Sequence, residues 1–283
     1  MSWTSPHGTP LPDWRRRTLI MGIMNLTPDS FSDGGELPGA DDALRRAEAL
    51  LNDGADVLDL GAESTRPGAT SVDAEVERAR LLPVVQALRR RFPQAVLSVD
   101  TYKPDVAAAA VAAGADLVND VEGGRFGARG DASPMGAVCA AARCPLILMH
   151  RRREAHYHDF WPEMLADLRG SLRAAQAAGM APEQLWTDPG FGFGKTPAQN
   201  LRLVRDLAKV AALGHPVLLG TSRKSTLGLV LEEPDPLRRT AGNDVTAAWG
   251  IAQGCSMVRV HDVAAIRPVV RMADALRRGA WPG

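Results

Sequence analysis

The chain has 283 residues, a formal net charge of zero and 5% aromatic residues. That length suits one large domain with a sizeable core, and the balanced charge supplies no basic field for nucleic acid, so a small-molecule partner is expected. Three cysteines (Cys139, Cys144, Cys255), an odd number without metal-ligand spacing, argue against a disulfide framework and for a reducing compartment.

Residues 1–16 read as a Pro-rich N-terminal tail. Arg15, Arg16 and Arg17 then precede the apolar run TLIMGIM, in the manner of a signal peptide. The run is only seven residues long, however, and no small-residue cleavage site precedes Asn25 and Pro28. No apolar stretch reaches transmembrane length, so a cytoplasmic protein without a membrane partner is expected.

In chain order, TLIMGIM predicts a buried strand near residues 18–25, followed by NLTPDSFSDGG, which carries more polar groups than a turn requires. Helical patterns near 41–53, 72–91, 104–113, 134–142, 162–178, 198–212, 236–252 and 264–278 then alternate with short β-branched runs. Those runs predict strands near 57–62, 96–101, 117–121, 145–150, 185–189, 216–221 and 257–261. The segments GADVLDLGAEST, GADLVNDVEGG and GCSMVRVHDV repeat one device, a helix-ending Gly just before a strand.

Eight strands each followed by helical sequence predict an α/β fold, a single-domain (β/α)8 TIM barrel over residues 17–283. A doubly wound open sheet would use similar units, but no GxGxxG follows the first strand. Barrel chemistry sits at the carboxyl ends of the strands. Here those ends carry Asn25, Glu63-Ser-Thr-Arg66, Asp100, Asn119 with Asp120, His150, Asp188, Ser222-Arg-Lys224, and Arg259 with His261.

Arg66, Lys224, Arg259 and His261 can converge on an anion such as phosphate or pyrophosphate, with Arg259 and His261 sent inward by their i, i+2 spacing. Asn25, with Asp29 and Asp33 nearby, suits a Mg2+ held mostly by substrate phosphates. Asp100, Asn119 and Asp188 can receive a flat heterocycle that presents an amino group beside a ring N–H, or can simply bond neighbouring loop backbone. Those residues alone do not choose between the two.

MGIMNLTPDSFSDGG, GAESTRPG, SVDTYKP, VNDVEGG, ILMH, TDPGFGFGKT, GTSRKS and VRVHDV, in that order, resemble the dihydropteroate synthases of the pterin-binding family from residue 18 to 278. TPDSFSDGG with STRPG and SRKS is closer to the synthases than to their methyltransferase relatives. The resemblance implies condensation of 6-hydroxymethyl-7,8-dihydropterin pyrophosphate with p-aminobenzoate on the folate route. By the same resemblance Asp100, Asn119, Asp188 and Lys224 hold the pterin ring, with Met149 against its face. Pyrophosphate meets Asn25 through Mg2+, and Arg66, Arg259 and His261 directly. The aminobenzoate lies among Thr65, Pro67, Phe31, Phe193 and Ser225, with Asp33 and Phe31 on a covering loop. Of these, Asn25, Arg66, Asp100, Lys224, Arg259 and His261 form the catalytic set, and the metal ligand is Asn25. A homodimer is expected, as is competition by sulfonamides for the aminobenzoate pocket.

The alternatives are a pterin-dependent methyltransferase domain, which gives no reason for STRPG and SRKS, and a non-catalytic pterin-binding paralogue, for which changes at Arg66, Lys224 or Arg259 are expected and absent. GFGFGKT is one residue short of a phosphate loop between Gly190 and Gly194. His156 and His158 with Asp159 lack ordered metal-ligand spacing and read as a solvated loop. After ILMH the chain departs from the family's short Met, Gly and Pro loop and runs RRREAHYHDFWP; Arg151, Arg152 and Arg153 are expected to form a flexible, hydrated loop.

Overall fold

The protein was studied as a computed structural model, which describes residues 3–26, 40–63 and 71–280. Strands and helices alternate as β1 (Leu19–Asn25), α1 (Ala40–Asp53), β2 (Val57–Gly61), α2 (Ala74–Arg91), β3 (Val96–Asp100), α3 (Pro104–Ala113), β4 (Leu117–Asp120), α4 (Pro134–Ala142) and β5 (Leu146–Met149). The second half runs α5 (Phe160–Ala177), β6 (Leu185–Asp188), α6 (Pro197–Arg205), α7 (Ala208–Ala211), β7 (Leu218–Leu219), α8 (Ser225–Leu231), α9 (Thr240–Ala252), β8 (Met257–Val260) and α10 (Val263–Arg278). All the strand pairs are parallel, in the order β6-β5-β4-β3-β2-β1-β8-β7, and a parallel bridge between Thr187 and Val217 brings the two edges together. The sheet is thus a (β/α)8 barrel with all strand carboxyl ends on one face.

The repeated Gly stop works by one local mechanism. Gly54, Gly114 and Gly254 have φ of 103°, 123° and 104°, a region that favours residues without a Cβ. The next amide in each case turns back onto the helix: Ala55 N–H donates to Leu50 O, Ala115 to Ala110 and Cys255 to Gly250. One residue further on, Asp56, Asp116 and Ser256 donate to Ile20, Leu97 and Val217, so each stop delivers the chain onto a neighbouring strand run.

Most predicted boundaries agree with the structure to within about two residues, the spread expected of helix ends. The second half differs in three places. Strand β7 spans two residues instead of six, the expected 198–212 helix divides at Asp206 and Leu207, and α9 begins at Thr240 because Pro236 opens a separate 3-10 turn. Helix α8 is an addition. Its seven residues are too few to display a hydrophobic period.

The barrel interior is filled in layers. Leu19, Met21, Val57, Val96, Leu117, Ile147, Trp186, Leu218 and Met257 form one apolar floor at the amino ends of the strands. From Trp3 onward the N-terminal segment, expected to be a tail, packs onto this floor. The Trp3 ring lies 4.7 Å from that of Trp186 and its indole N–H donates to Pro12 O at 3.0 Å, while the Trp14 ring stands edge-on to Trp186 at 5.9 Å. Ser5 Oγ donates to Asp116 and Gln184 Oε1 accepts the Thr4 N–H. All three cysteines are buried and unpaired by disulfide, as expected of small core residues.

Candidate active site

Side chains alternate along a strand, so residues two beyond the apolar floor also point inward, one layer nearer the carboxyl ends. Adding two to Val57, Val96, Leu117, Ile147, Trp186 and Met257 reaches Asp59, Ser98, Asn119, Met149, Asp188 and Arg259. The interior therefore changes from hydrocarbon to charge within one residue pair. Pairing of Asp100 with Asn119 and of Met149 with Asp188 in the strand register brings these groups side by side at the tips.

Arg259 organises one half of the layer. Its Nε donates to Asp59 Oδ2 at 2.6 Å and its Nη2 to Asp100 Oδ2 at 2.7 Å, which uses two of five guanidinium N–H donors. Asp59 is fully buried and also accepts from Ser98 Oγ at 2.5 Å and Asn119 Nδ2 at 3.3 Å. Asp100 Oδ1 and Asn119 Oδ1, by contrast, are buried and accept no hydrogen bond from the described residues. Burial lifts the Asp100 carboxyl above the ordinary carboxylate range, and the Arg259 guanidinium opposes that rise.

Asp188 and Lys224 organise the other half. Burial raises the Asp188 carboxyl, while the Gly190 N–H at 2.7 Å and the fields of Lys224, Lys195 and Arg259 pull it back. Asp188 and Arg259 therefore act within one pocket at one end of the barrel. Lys224 Nζ stands 4.0 Å over the half-buried Phe193 ring. The Gly192 N–H donates to Asn200 on α6, and Asn200 in turn donates to Thr226 on α8, tying the β6 loop to two helices. Met149 is buried at the end of β5, Ser225 is the exposed first residue of α8, and Ser222 Oγ lies 3.0 Å from His261 Nδ1.

Of the residues singled out in the sequence, Asp100, Asn119, Met149, Asp188, Phe193, Lys224, Arg259 and His261 occupy the carboxyl-end face. Phe31, Asp33, Thr65, Arg66 and Pro67 lie outside the described residues. Asn25 ends β1 with its side chain exposed. Among the described residues no group of three or more His, Cys, Asp or Glu is placed to hold a metal.

Two parts of the site were missed in the sequence. Asp59 had a visible signal, a carboxylate in the middle of the buried strand VLDLG. Lys103 had none. It is buried between Glu63 and Glu77, whose carboxylates both accept from its Nζ, and Tyr102 OH also donates to Glu63 at 2.9 Å. The expectation of a flexible, hydrated Arg151–Arg153 loop is corrected at two of its three residues. Arg151 pairs with Glu122 at 2.5 Å, and Arg152 bonds Glu163 and Asp167, both at 2.8 Å, with its guanidinium 4.3 Å from the centre of the Tyr157 ring. Carboxylates on α5 and the β4 loop hold these two arginines in place, which the local composition alone did not disclose.

Fold and site together define a (β/α)8-barrel enzyme that gathers buried acceptors and cations at the strand tips, an arrangement suited to a polar ring bearing an anionic group. Residues 21–261 match the pterin binding enzyme family, and the chain belongs to that family. It is 44% identical over 263 residues to dihydropteroate synthase of Bacillus subtilis, covering 93% of this chain and 90% of that protein. The crystal structure of dihydropteroate synthase from Clostridium difficile in the presence of pteroic acid superposes with a TM-score of 0.88 at 40% identity, covering 94% of this chain and 98% of that one. The Xanthomonas albilineans dihydropteroate synthase with 4-aminobenzoic acid gives a TM-score of 0.86 at 41% identity, over 92% and 93%.

Proposed function

We propose that this chain condenses 6-hydroxymethyl-7,8-dihydropterin pyrophosphate with p-aminobenzoate, giving 7,8-dihydropteroate and pyrophosphate. The observation that carries this reading is the pair of buried acceptors, Asp100 Oδ1 and Asn119 Oδ1, on adjacent strand tips. A buried acceptor left without a donor costs about 1–3 kcal/mol. A heterocycle with an amino group beside a ring N–H removes that cost at both atoms, and membership of the family selects the pterin.

In the reaction the bond between the exocyclic methylene and the pyrophosphate oxygen breaks, and the electron pair leaves with the oxygen. The dihydropterin ring delocalises the positive charge left on carbon. The p-aminobenzoate nitrogen then forms the new C–N bond and releases one proton. An aryl amine is already unprotonated at neutral pH, so no strong general base is needed.

The residues act chiefly through electrostatics in a dry pocket. Asp100 and Asp188 favour the pterin cation, Lys224 and Asn119 orient the ring, and Met149 packs against its face. Arg66, Arg259 and His261 stabilise the departing pyrophosphate; the remaining donors of Arg259 are available for that while Asp59 and Asp100 hold its other edge. Thr65, Pro67, Phe31, Phe193 and Ser225 surround the aminobenzoate, and Asp33 belongs to the loop that closes over it. Asn25 would contribute one neutral oxygen to a Mg2+ whose charge offsets that of the leaving group.

Product formation gives the direct test. Pyrophosphate release should match dihydropteroate formation one for one and require both substrates. Turnover that ignores p-aminobenzoate would mean a methyltransferase, and tight pterin binding without pyrophosphate release would mean a binding protein.

The expected homodimer belongs to the same reading. Val245 and Trp249 on α9 and Met272 and Leu276 on α10 are 51–72% exposed beside a groove of about 640 Å³ between the two helices. A second copy covering that face would remove its apolar area from water. Light scattering should give a dimer for the native chain and a monomer for Val245→Glu combined with Leu276→Glu; a dimer in both would place the interface elsewhere. Among the described residues no helix is long and apolar enough to cross a membrane.

A further inference from the structure

GFGFGKT is short of a phosphate loop, and the chemistry above gives its lysine no task. Lys195 is nevertheless buried, and its Nζ lies 3.0 Å from Gly190 O, 2.9 Å from Phe193 O, 2.9 Å from His150 Nδ1 and 3.4 Å from His150 O. These contacts bind the β6 loop to the end of β5.

The proton positions at this cluster follow from its neighbours. His150 Nε2 lies 3.1 Å from Asp167 Oδ2, which also accepts from Arg152 Nε at 2.8 Å. The His150 and Arg152 hydrogen bonds outweigh burial and hold the Asp167 carboxyl below its usual range, so it is ionised and can only accept. Burial lowers His150 to about 4, so the ring is neutral near pH 7 with its proton on Nε2. Nδ1 is then an acceptor and Nζ must donate to it. All three ammonium protons have partners: Gly190 O, Phe193 O and His150 Nδ1.

The two loops touch too closely for any side chain between them. A Cβ at Gly190 would sit 1.9 Å from His150 O, and one at Gly194 would sit 2.1 Å from Arg152 O. Both glycines also have positive φ. Tyr157 OH adds a bond to Gly194 O at 3.0 Å. The β5 and β6 loops are thus one packed body around a single cation, and that body carries Asp188, two residues from Gly190, and the Phe193 ring beneath Lys224.

We propose that Lys195 is a positioning residue that fixes Asp188 and Phe193 for the pterin and the aminobenzoate by clamping the Gly190–Phe193 turn to His150. The inference rests on the condensation reading above. The groups facing Lys195 are His150 after β5, in direct contact, with Asp188 on β6, Asp167 on α5, Arg152 after β5 and Lys224 before α8. Burial is the main influence and brings the ammonium down to about 7. Its charged form is therefore lost as pH rises through that value, and one of the three donated bonds goes with it.

The test is Lys195→Met, which keeps the apolar stem and removes the donors. A native circular dichroism spectrum is expected, with KM for the pterin pyrophosphate raised at least about tenfold, the scale for buried acceptors left unpaired, and kcat changed much less. The rise in that KM above pH 7 expected of the native enzyme should vanish in the variant. An unchanged pterin KM and pH profile in the folded variant would overturn the clamp and leave the condensation reading standing. A native enzyme that makes no dihydropteroate would overturn that reading instead. If Lys195→Met does not fold, His150→Phe removes the Nδ1 acceptor, together with the Nε2–H bond to Asp167, and should raise the pterin KM about threefold, a smaller share of the same loss; no rise there also overturns the proposal.

Discussion

Asp188→Ala and Lys224→Ala should each lower kcat/KM by at least about a hundredfold, or about 2.7 kcal/mol of transition-state stabilisation, the scale for one positioned electrostatic group. Asp188 is a carboxylate whose ionisation burial opposes, while the Gly190 N–H and the fields of Lys224, Lys195 and Arg259 favour it. Such a group is costly to bury and does not stabilise the fold for its own sake. Removing it should therefore leave the melting temperature unchanged or raise it slightly while activity collapses. Lys224 stands over the Phe193 ring and its field acts on Asp188, so its loss removes a positive charge from the surroundings of the carboxylate proposed to hold the ring. Steady-state kinetics with a thermal melt of each variant checks both statements. Activity within a few-fold of native in either would remove that residue from the site.

Asp59→Ala should act the other way, on stability first. Asp59 is fully buried and satisfies Ser98, Asn119 and Arg259 at once. Its removal leaves the Arg259 side chain, 20% exposed, with Asp100 as its remaining ion-pair partner among the described residues, a change that costs about 3 kcal/mol, the low end for a buried pair. At roughly 2–4 °C per kcal/mol for a domain near this size, the midpoint should fall by about 10 °C. Arg259 would also swing toward Asp100, so pyrophosphate-side binding should weaken. Asp59→Asn keeps the shape and one acceptor oxygen and should lose less. A melting temperature within about 2 °C of native for Asp59→Ala would show that the Arg259 network does not depend on it.

The two variants differ in how readable their residues are. Asp188 ends a strand and is followed by Pro189 and Gly190, so its position at a barrel tip follows from the repeat unit alone. Asp59 sits inside a strand, where a carboxylate signals a buried partner without naming it. The partner, Arg259, is 200 residues away, and only the meeting of β1 with both β2 and β8 brings the two together.

Local order accounts for what could be read directly. The Gly stops, the eight apolar runs and the inward phase of Arg259 depend on backbone preferences and side-chain alternation, which act over a few residues and leave periodic traces. The identity of the family was legible because its motifs are contiguous pieces of the active-face loops. What required the folded chain were contacts between segments distant in sequence: Trp3 against Trp186, Lys195 against His150, Arg152 against Asp167, and Asp100 with Asn119 left holding two buried acceptors. Periodicity reports which face a residue presents, but partner choice is a property of closure, since each of these bonds exists only once the ring of strands has set the distance between its two ends.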